Sequence, residues 1–295
     1  MKRQVNIARF QSGLTIVELM VSMTIGLILM GGMVQIFSTN KNAYRYNNSV
    51  AEVQNNGAYA LDFVVNQIAQ IGYVPAWSGY NDQDMNNDGY SDRRDLELWA
   101  YGATASATAP LVGTTTLGDK GSDSIIINVF VDPASVDCVG NPVTAASPGA
   151  FAGPAGVAAA GAPGFGIPNV LAVINGKLTC NGVVVAEGVE NMRILYGVDT
   201  PVAGAVRPLD GVVDHYMDWS EIAPADQLNI LSVRVSLLVA STEQVRSGDN
   251  TKTNQMLDEA IAPANDRKLR TVYTATVRLR NRCAKFPSQV TSICA

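Results

Sequence analysis

Gly13-Leu14-Thr15-Ile16-Val17-Glu18 is the stretch on which the reading of this chain turns. It joins a basic leader, with Lys2, Arg3 and Arg9 and no acid, to a long apolar run in which Glu18 is the only charged residue between Leu14 and Phe37. A carboxylate inside a membrane helix costs about 3 kcal/mol unless something pairs with it. Cleavage after Gly13 would create a new α-amino group on Leu14, about one helical turn from Glu18. In an array of identical helices, the amine of one chain can neutralise the carboxylate of the next. A secretory signal is cut after its apolar stretch. Here the candidate cut precedes that stretch, so the run stays attached as an anchor. From Leu19 to Phe37 there are 19 uncharged residues, enough to span a bilayer. Cations precede the run and return only at Lys41 and Arg45, which puts the leader in the cytoplasm and the bulk of the chain outside it. The plainer alternative is a single-pass anchor with an accidental glutamate.

The helical pattern continues beyond the apolar run. Val50, Val53, Gly57, Leu61, Val64, Ile68 and Ile71 recur at three- and four-residue steps and mark one apolar face. The simplest reading is a single helix from about Thr15 to Gly72, on the order of 85 Å long, stopped by Gly72 and Pro75. Its second half is expected to lie on a sheet. Gly31-Gly32 lowers helix propensity by about 2 kcal/mol relative to alanines, for close helix packing or as a point where the helix stretches. Strand-like runs follow at 124–131, 169–174, 183–186, 192–198, 230–240 and 271–279. In the last, Val272, Thr274, Thr276 and Arg278 alternate with Tyr273, Ala275, Val277 and Leu279, as in half-buried antiparallel strands. Asn175-Gly176 and Asn181-Gly182 are turn dipeptides. The Ala/Gly/Pro-rich stretch from Asp132 to Pro168 reads as a long surface loop held by Cys138.

A hydrophobic content of 47% supports a packed core. The formal charge of −5 would become −8 once the three leader cations were removed. An acidic domain argues against nucleic-acid binding by the domain as a whole, since that affinity is driven by cations. The four cysteines Cys138, Cys180, Cys283 and Cys294 suit an oxidising compartment and match no zinc spacing. Three pairings are possible, the simplest being Cys138 with Cys180 and Cys283 with Cys294. A C-terminal loop of about a dozen residues closed this way contributes about 3 kcal/mol. Free thiols are the alternative.

Asp84-Met-Asn86-Asn-Asp88-Gly89-Tyr90-Ser-Asp92-Arg-Arg-Asp95 has the ligand order of a calcium loop. Side-chain oxygens of Asp84, Asn86, Asp88, Asp92 and Asp95 stand at positions 1, 3, 5, 9 and 12, with glycine at 6 and the Tyr90 carbonyl at 7. Asp95 replaces the usual glutamate and no helix signal precedes Asp84, so the expectation is a calcium loop without flanking helices. The alternative is a polar surface turn. No phosphate loop, nucleophile elbow or zinc signature is visible, and no enzymatic activity is expected. The lone His215 lies among Asp210, Asp214 and Asp218 and reads as a loop histidine. Trp77, Trp99 and Trp219 read as packing residues.

The run from Gly13 to Met23 resembles the start of minor pilins of the PilW type, and Gly188-Val-Glu-Asn-Met-Arg-Ile-Leu-Tyr-Gly-Val-Asp199 is similar to a segment of their globular domain. Leu14 stands where major pilins usually carry phenylalanine. The resemblance implies a pilin-like α+β fold with a long N-terminal helix packed on an antiparallel sheet, long loops and a C-terminal disulfide loop. It further implies a leader at 1–13 removed by a prepilin peptidase, with N-methylation of Leu14. A transmembrane and filament-core helix would occupy 14–38, its amphipathic half 39–72, and a β-rich periplasmic domain 73–295. Such proteins sit in the inner membrane and then at the pilus tip. There they prime assembly with other minor pilins and the major pilin, in some cases with a large adhesin, and are linked to twitching, adhesion and DNA uptake. A pseudopilin of a type II secretion system and a binding module displayed on a filament are the rival readings.

Overall fold

The computed structural model describes residues 13, 15–71, 111–114, 118–119, 121–131, 136–142, 164–200, 211–223, 226–262 and 264–279. The chain divides into two units, Met1–Asn48 and Ser49–Ala295. Helix α1 (Ile16–Ala69) belongs to the first unit up to residue 48 and to the second beyond it. It ends three residues short of the expected Gly72, because the last turn tightens into i→i+3 bonds from Gln70 N to Gln67 O and from Ile71 N to Ile68 O.

Within the second unit, α1 buries Ser49, Val53, Gly57, Ala60, Val64 and Ile68, and Ile71 beyond its end is buried too. The expected stripe is therefore shifted in two places. Ser49 and Ala60 occupy the seam, while Val50 and Leu61 flank it half-buried. Small residues there let the helix approach the sheet. At Gly57 the approach is closest, since a Cβ would collide with the Tyr273 ring. The Tyr273 hydroxyl donates to Val53 O at 3.2 Å.

The strands form two sheets and a separate hairpin rather than one sheet. The first sheet is a five-stranded antiparallel meander of β1 (Leu111–Thr114), β2 (Ser124–Val131), β3 (Gly164–Ile174), β4 (Lys177–Cys180) and β5 (Val183–Glu187). Its last two turns are the expected Asn-Gly pairs. Asn175 (φ 53), Gly176 (φ 69), Asn181 (φ 51) and Gly182 (φ 79) take the positive φ of two-residue hairpins. The expected loop from Asp132 to Pro168 is shorter than the composition suggests, because β3 already begins at Gly164 and a bridge joins Val136 to Pro142. The Cys138–Cys180 disulfide ties the bridged segment to β4. Asn169, 2% exposed, accepts from Cys138 N at 3.2 Å and donates to Gln67 Oε1 at 3.0 Å, joining that segment to α1.

The second sheet has the order β11 (Lys268–Arg278), β8 (Ile230–Gln244), β6 (Val189–Val198), β7 (His215–Met217), all antiparallel. One face of β8 presents Val233, Val235, Leu237 and Val239 to the core. The other face is buried as well, at Ser232, Ser236, Leu238 and Ala240. The alternation of Val233, Val235 and Leu237 with Arg234 and Ser236 predicts a half-buried strand, so burial of both faces is a difference from the pattern. The hairpin β9 (Asn254–Met256) and β10 (Glu259–Ile261) packs beside β8 and β11, with Met256 buried.

Arg193 on β6 holds several of these pieces together. Ser122 and Asp123, leading into β2, run along the edge of β6 that the short β7 leaves open. Asp123 N donates to Met192 O at 2.7 Å, Met192 N to Ser122 Oγ at 3.0 Å, and Ile194 N to Asp123 Oδ2 at 2.8 Å. The Arg193 guanidinium then reaches Asp123 Oδ2 at 3.1 Å and Asp218 Oδ2 at 2.8 Å. It also grips Asp258 in the β9–β10 turn through two bonds of 2.9 and 2.7 Å. Asp218 caps the short 3-10 helix Trp219–Glu221, whose Trp219 meets Tyr196 edge to face at 5.2 Å. Burial pushes the Asp123 carboxyl up despite the Ile194 amide and Arg193 that favour its charge. The Arg193 bond holds Asp258 below the usual carboxylate range. A second arginine, Arg270, is held by Glu190 and Asp266, and its bond brings the Asp266 carboxyl down to about 2.

Two substitutions separate these interactions. Gly57→Ala should destabilise the folded unit by about 1–2 kcal/mol, because overpacking against a rigid ring outweighs the gain of about 1 kcal/mol in helix propensity. Gly31→Ala and Gly32→Ala, where a Cβ meets nothing within 4 Å, should show no such loss. Urea unfolding followed by near-ultraviolet circular dichroism reads the difference, and a stabilised Gly57→Ala would contradict the packing. Arg193→Gln should cost about 3 kcal/mol at neutral pH by leaving buried carboxylates unpaired. Asp123 titrates above its unfolded value, so its ionised form opposes folding. The loss should therefore shrink as pH falls and Asp123 takes a proton. An equal loss at about pH 7 and about pH 5 would contradict this.

Candidate assembly site

The first unit has no core of its own. From Thr15 to Tyr46 every described side chain is exposed, including Ile16 (79%), Ile28 (74%) and Phe37 (72%). Water does not tolerate such a surface on a continuous helix, and its length and apolar composition suffice to cross a membrane. The helix is unbroken through Gly31-Gly32, so the two glycines cause no break in the single chain.

Three hydroxyls in this segment are satisfied within the helix. Ser22 Oγ donates to Leu19 O at 2.9 Å, Thr24 Oγ1 to Val21 O at 2.8 Å, and Thr39 Oγ1 to Gln35 O at 2.9 Å. Each hydroxyl returns to a carbonyl of its own helix, which removes the cost of exposing it to hydrocarbon. At the N-terminus Thr15 is the cap. Its Oγ1 accepts from Glu18 N at 3.3 Å, and its carbonyl accepts from Leu19 N at 3.2 Å. Thr15 was missed as a functional residue in reading the sequence, although Thr-x-x-Glu before an apolar run is a recognisable helix start.

Glu18 is the exception. It stands in the first turn, where the helix dipole favours a negative charge. Among the described residues its carboxylate has no ion-pair partner. The arrangement is an apolar helix that bonds the hydroxyls of Ser22, Thr24 and Thr39 internally and carries one carboxylate without such a partner. Gly13 is exposed, and a Cβ there would meet nothing within 4 Å. Leu14, the other residue of the candidate cut, lies outside the described residues.

The remaining candidates fall elsewhere. Asp84, Asn86, Asp88, Tyr90, Asp92 and Asp95 lie outside the described residues, as do Cys283, Cys294, Trp77 and Trp99. Cys138 and Cys180 are bonded to each other. His215 is exposed on β7, and among the described residues no group of three His, Cys, Asp or Glu side chains could hold a metal ion. Trp219 packs against the core. Sequence reading could not find the Arg193 cluster, since its carboxylates lie 70, 25 and 65 residues away.

Residues 8–34, which contain Gly13, Leu14, Thr15 and Glu18, match the prokaryotic N-terminal methylation motif. Residues 169–281, from within β3 to just past β11, match the family described as type IV pilus-assembly protein W. No curated protein and no solved structure is matched by the chain. The methylation motif covers the bare helix with Glu18 in its first turn, and the family match covers the sheet held by Arg193 and Arg270; the two matches together make the chain similar to a type IV pilin of the PilW type.

Proposed function

We propose that this chain is a minor pilin that primes assembly of a type IV pilus and remains at the filament tip. The leader 1–13 is removed by a prepilin peptidase between Gly13 and Leu14, and the new N-terminus on Leu14 is methylated. Before assembly the chain resides in the inner membrane, with the leader in the cytoplasm and the β-rich domain in the periplasm. Its partners are the other minor pilins, the major pilin and a large tip adhesin, which connects the chain to twitching and adhesion. The observation that carries this reading is Glu18, without an ion-pair partner among the described residues, in an apolar helix where the hydroxyls of Ser22, Thr24 and Thr39 are bonded internally. Lipid can cover the apolar side chains but cannot neutralise that carboxylate, whereas the Leu14 amine of a neighbouring subunit can. The match of residues 169–281 to a pilus-assembly family favours a pilus over a secretion pseudopilus.

The Asp84–Asp95 segment is proposed as a calcium loop. Its support is the ligand order in the sequence: four carboxylates in twelve residues repel one another unless a cation joins them.

Glu18→Ala should give a cleaved, membrane-resident protein that enters filaments poorly, measured by its recovery in sheared pili against its level in membranes. Normal incorporation would overturn the role assigned to Glu18. Titration calorimetry with calcium should give saturable heat that disappears in Asp84→Ala and Asp88→Ala, and a folded protein that gives no heat at about millimolar calcium ends the calcium proposal.

A further inference from the structure

We propose that the open edge of β11 is a self-association surface, on which two copies of the chain pair β11 to β11, antiparallel, into one continuous sheet. This goes beyond assembly through the N-terminal helix and does not depend on it. Leu279 N donates to Leu231 O at 2.9 Å, and the β11–β8 register runs without a shift from Arg270 to Arg278. Backbone groups alternate along a strand. Those of Tyr273, Ala275 and Val277 therefore face β8, and those of Val272, Thr274, Thr276 and Arg278 face outward. Among the described residues no strand pairs with this outer edge.

Edge strands are normally protected by shortness, charge, proline or a bulge. The other sheet edges follow that rule: β1 has 4 residues, β7 has 3, and β5 has 5 with a register shift in its pairing. β11 has 11 residues, and its only shift lies before Arg270. From Thr271 to Val277 it carries no charge, proline or glycine, and is composed almost wholly of residues that favour strands.

The strand is complementary to itself. Antiparallel pairing centred on Thr274 sets threonine opposite threonine, a favourable cross-strand pair. Val272 then meets Thr276 on each side, and Arg278 comes opposite Arg270. Two free arginines would repel, but Arg270 is already held by Glu190 at 2.6 Å and by Asp266 at 2.6 Å, so that with the neighbouring Lys268 the cluster is charge-balanced. Exposed Arg278 of each copy therefore meets a compensated arginine flanked by the carboxylates of Glu190 and Asp266 on the other. A two-fold axis satisfies both ends at once, which makes a second copy the occupant that fits this edge.

The test uses the full chain in detergent, with light scattering across a concentration series and amide hydrogen exchange. The wild type should form a dimer at high concentration, with the amides of Val272, Thr274 and Thr276 protected only in the dimer. Thr274→Pro removes an outward N–H while leaving the β8 ladder intact, and should be monomeric with unchanged near-ultraviolet circular dichroism. Arg278→Glu, a change at an exposed side chain, should weaken the dimer about tenfold or more by placing like charges together. A wild type that stays monomeric overturns the proposal. So does a dimer that survives both substitutions, since its contact then lies elsewhere. Protection of these amides in the monomer also overturns it, because another part of the same chain would then occupy the edge.

Discussion

A lone carboxylate in the first turn of a long apolar helix is the constraint around which this molecule is organised. The hydroxyls of Ser22, Thr24 and Thr39 all return to carbonyls of their own helix, and Thr15 caps its first turn. Hydrocarbon can surround these hydroxyls at little cost, whereas the Glu18 carboxylate has no ion-pair partner among the described residues. In the proposed function the residue makes the segment more than an anchor, because an anchor functions equally well without it. In the proposed arrangement the charge is cancelled only after cleavage and only by a neighbour, so processing and assembly become two steps of one electrostatic event. Because the new amine lies close to its own helix N-terminus, the dipole disfavours it there and a carboxylate on an adjacent helix suits it better.

The unit from Ser49 onward meets a different demand, which is to hold a half-helix and two sheets together with a modest core. Ser49, Gly57 and Ala60 bring the helix backbone close, and Tyr273 closes over Gly57 while its hydroxyl bonds the Val53 carbonyl. On the other side of the second sheet, Arg193 binds carboxylates from the approach to β2, the 3-10 helix and the β9–β10 turn. A buried charge cluster of this kind adds little net stability compared with apolar packing, but removing one member strands the others. It makes the relative placement of these pieces specific, so that the sheet presents the same edge, β11, in every copy.

Much of this was legible in the sequence because the signals were local. The Asn-Gly dipeptides fixed two hairpins since only residues tolerant of positive φ fit those turns. The alternation in 271–279 gave β11 its faces correctly, and Cys138 with Cys180 was the pairing that formed. What was not legible depended on contacts distant in sequence. Ser49 and Ala60 carry no apolar signal, yet they lie in the helix seam because the sheet comes close there. β4, β9 and β10 are too short to show a period. β8 looks half-buried by pattern but is covered on both faces, because a hairpin from later in the chain folds over it. The Arg193 cluster draws partners from three separate segments, and no spacing rule connects them. Thr15 was legible and was overlooked, its hydroxyl being overshadowed by the glutamate three residues later. The Asp84–Asp95 loop and the Cys283–Cys294 pairing rest on the sequence, since both lie outside the described residues.

Mass spectrometry of the intact chain, extracted from membranes of cells with an active prepilin peptidase, tests the central claim most directly. The account predicts a protein that begins at Leu14 and bears an added methyl on its terminal nitrogen. A chain that still begins at Met1 would contradict it, for then no neighbour could offer Glu18 the amine its position requires.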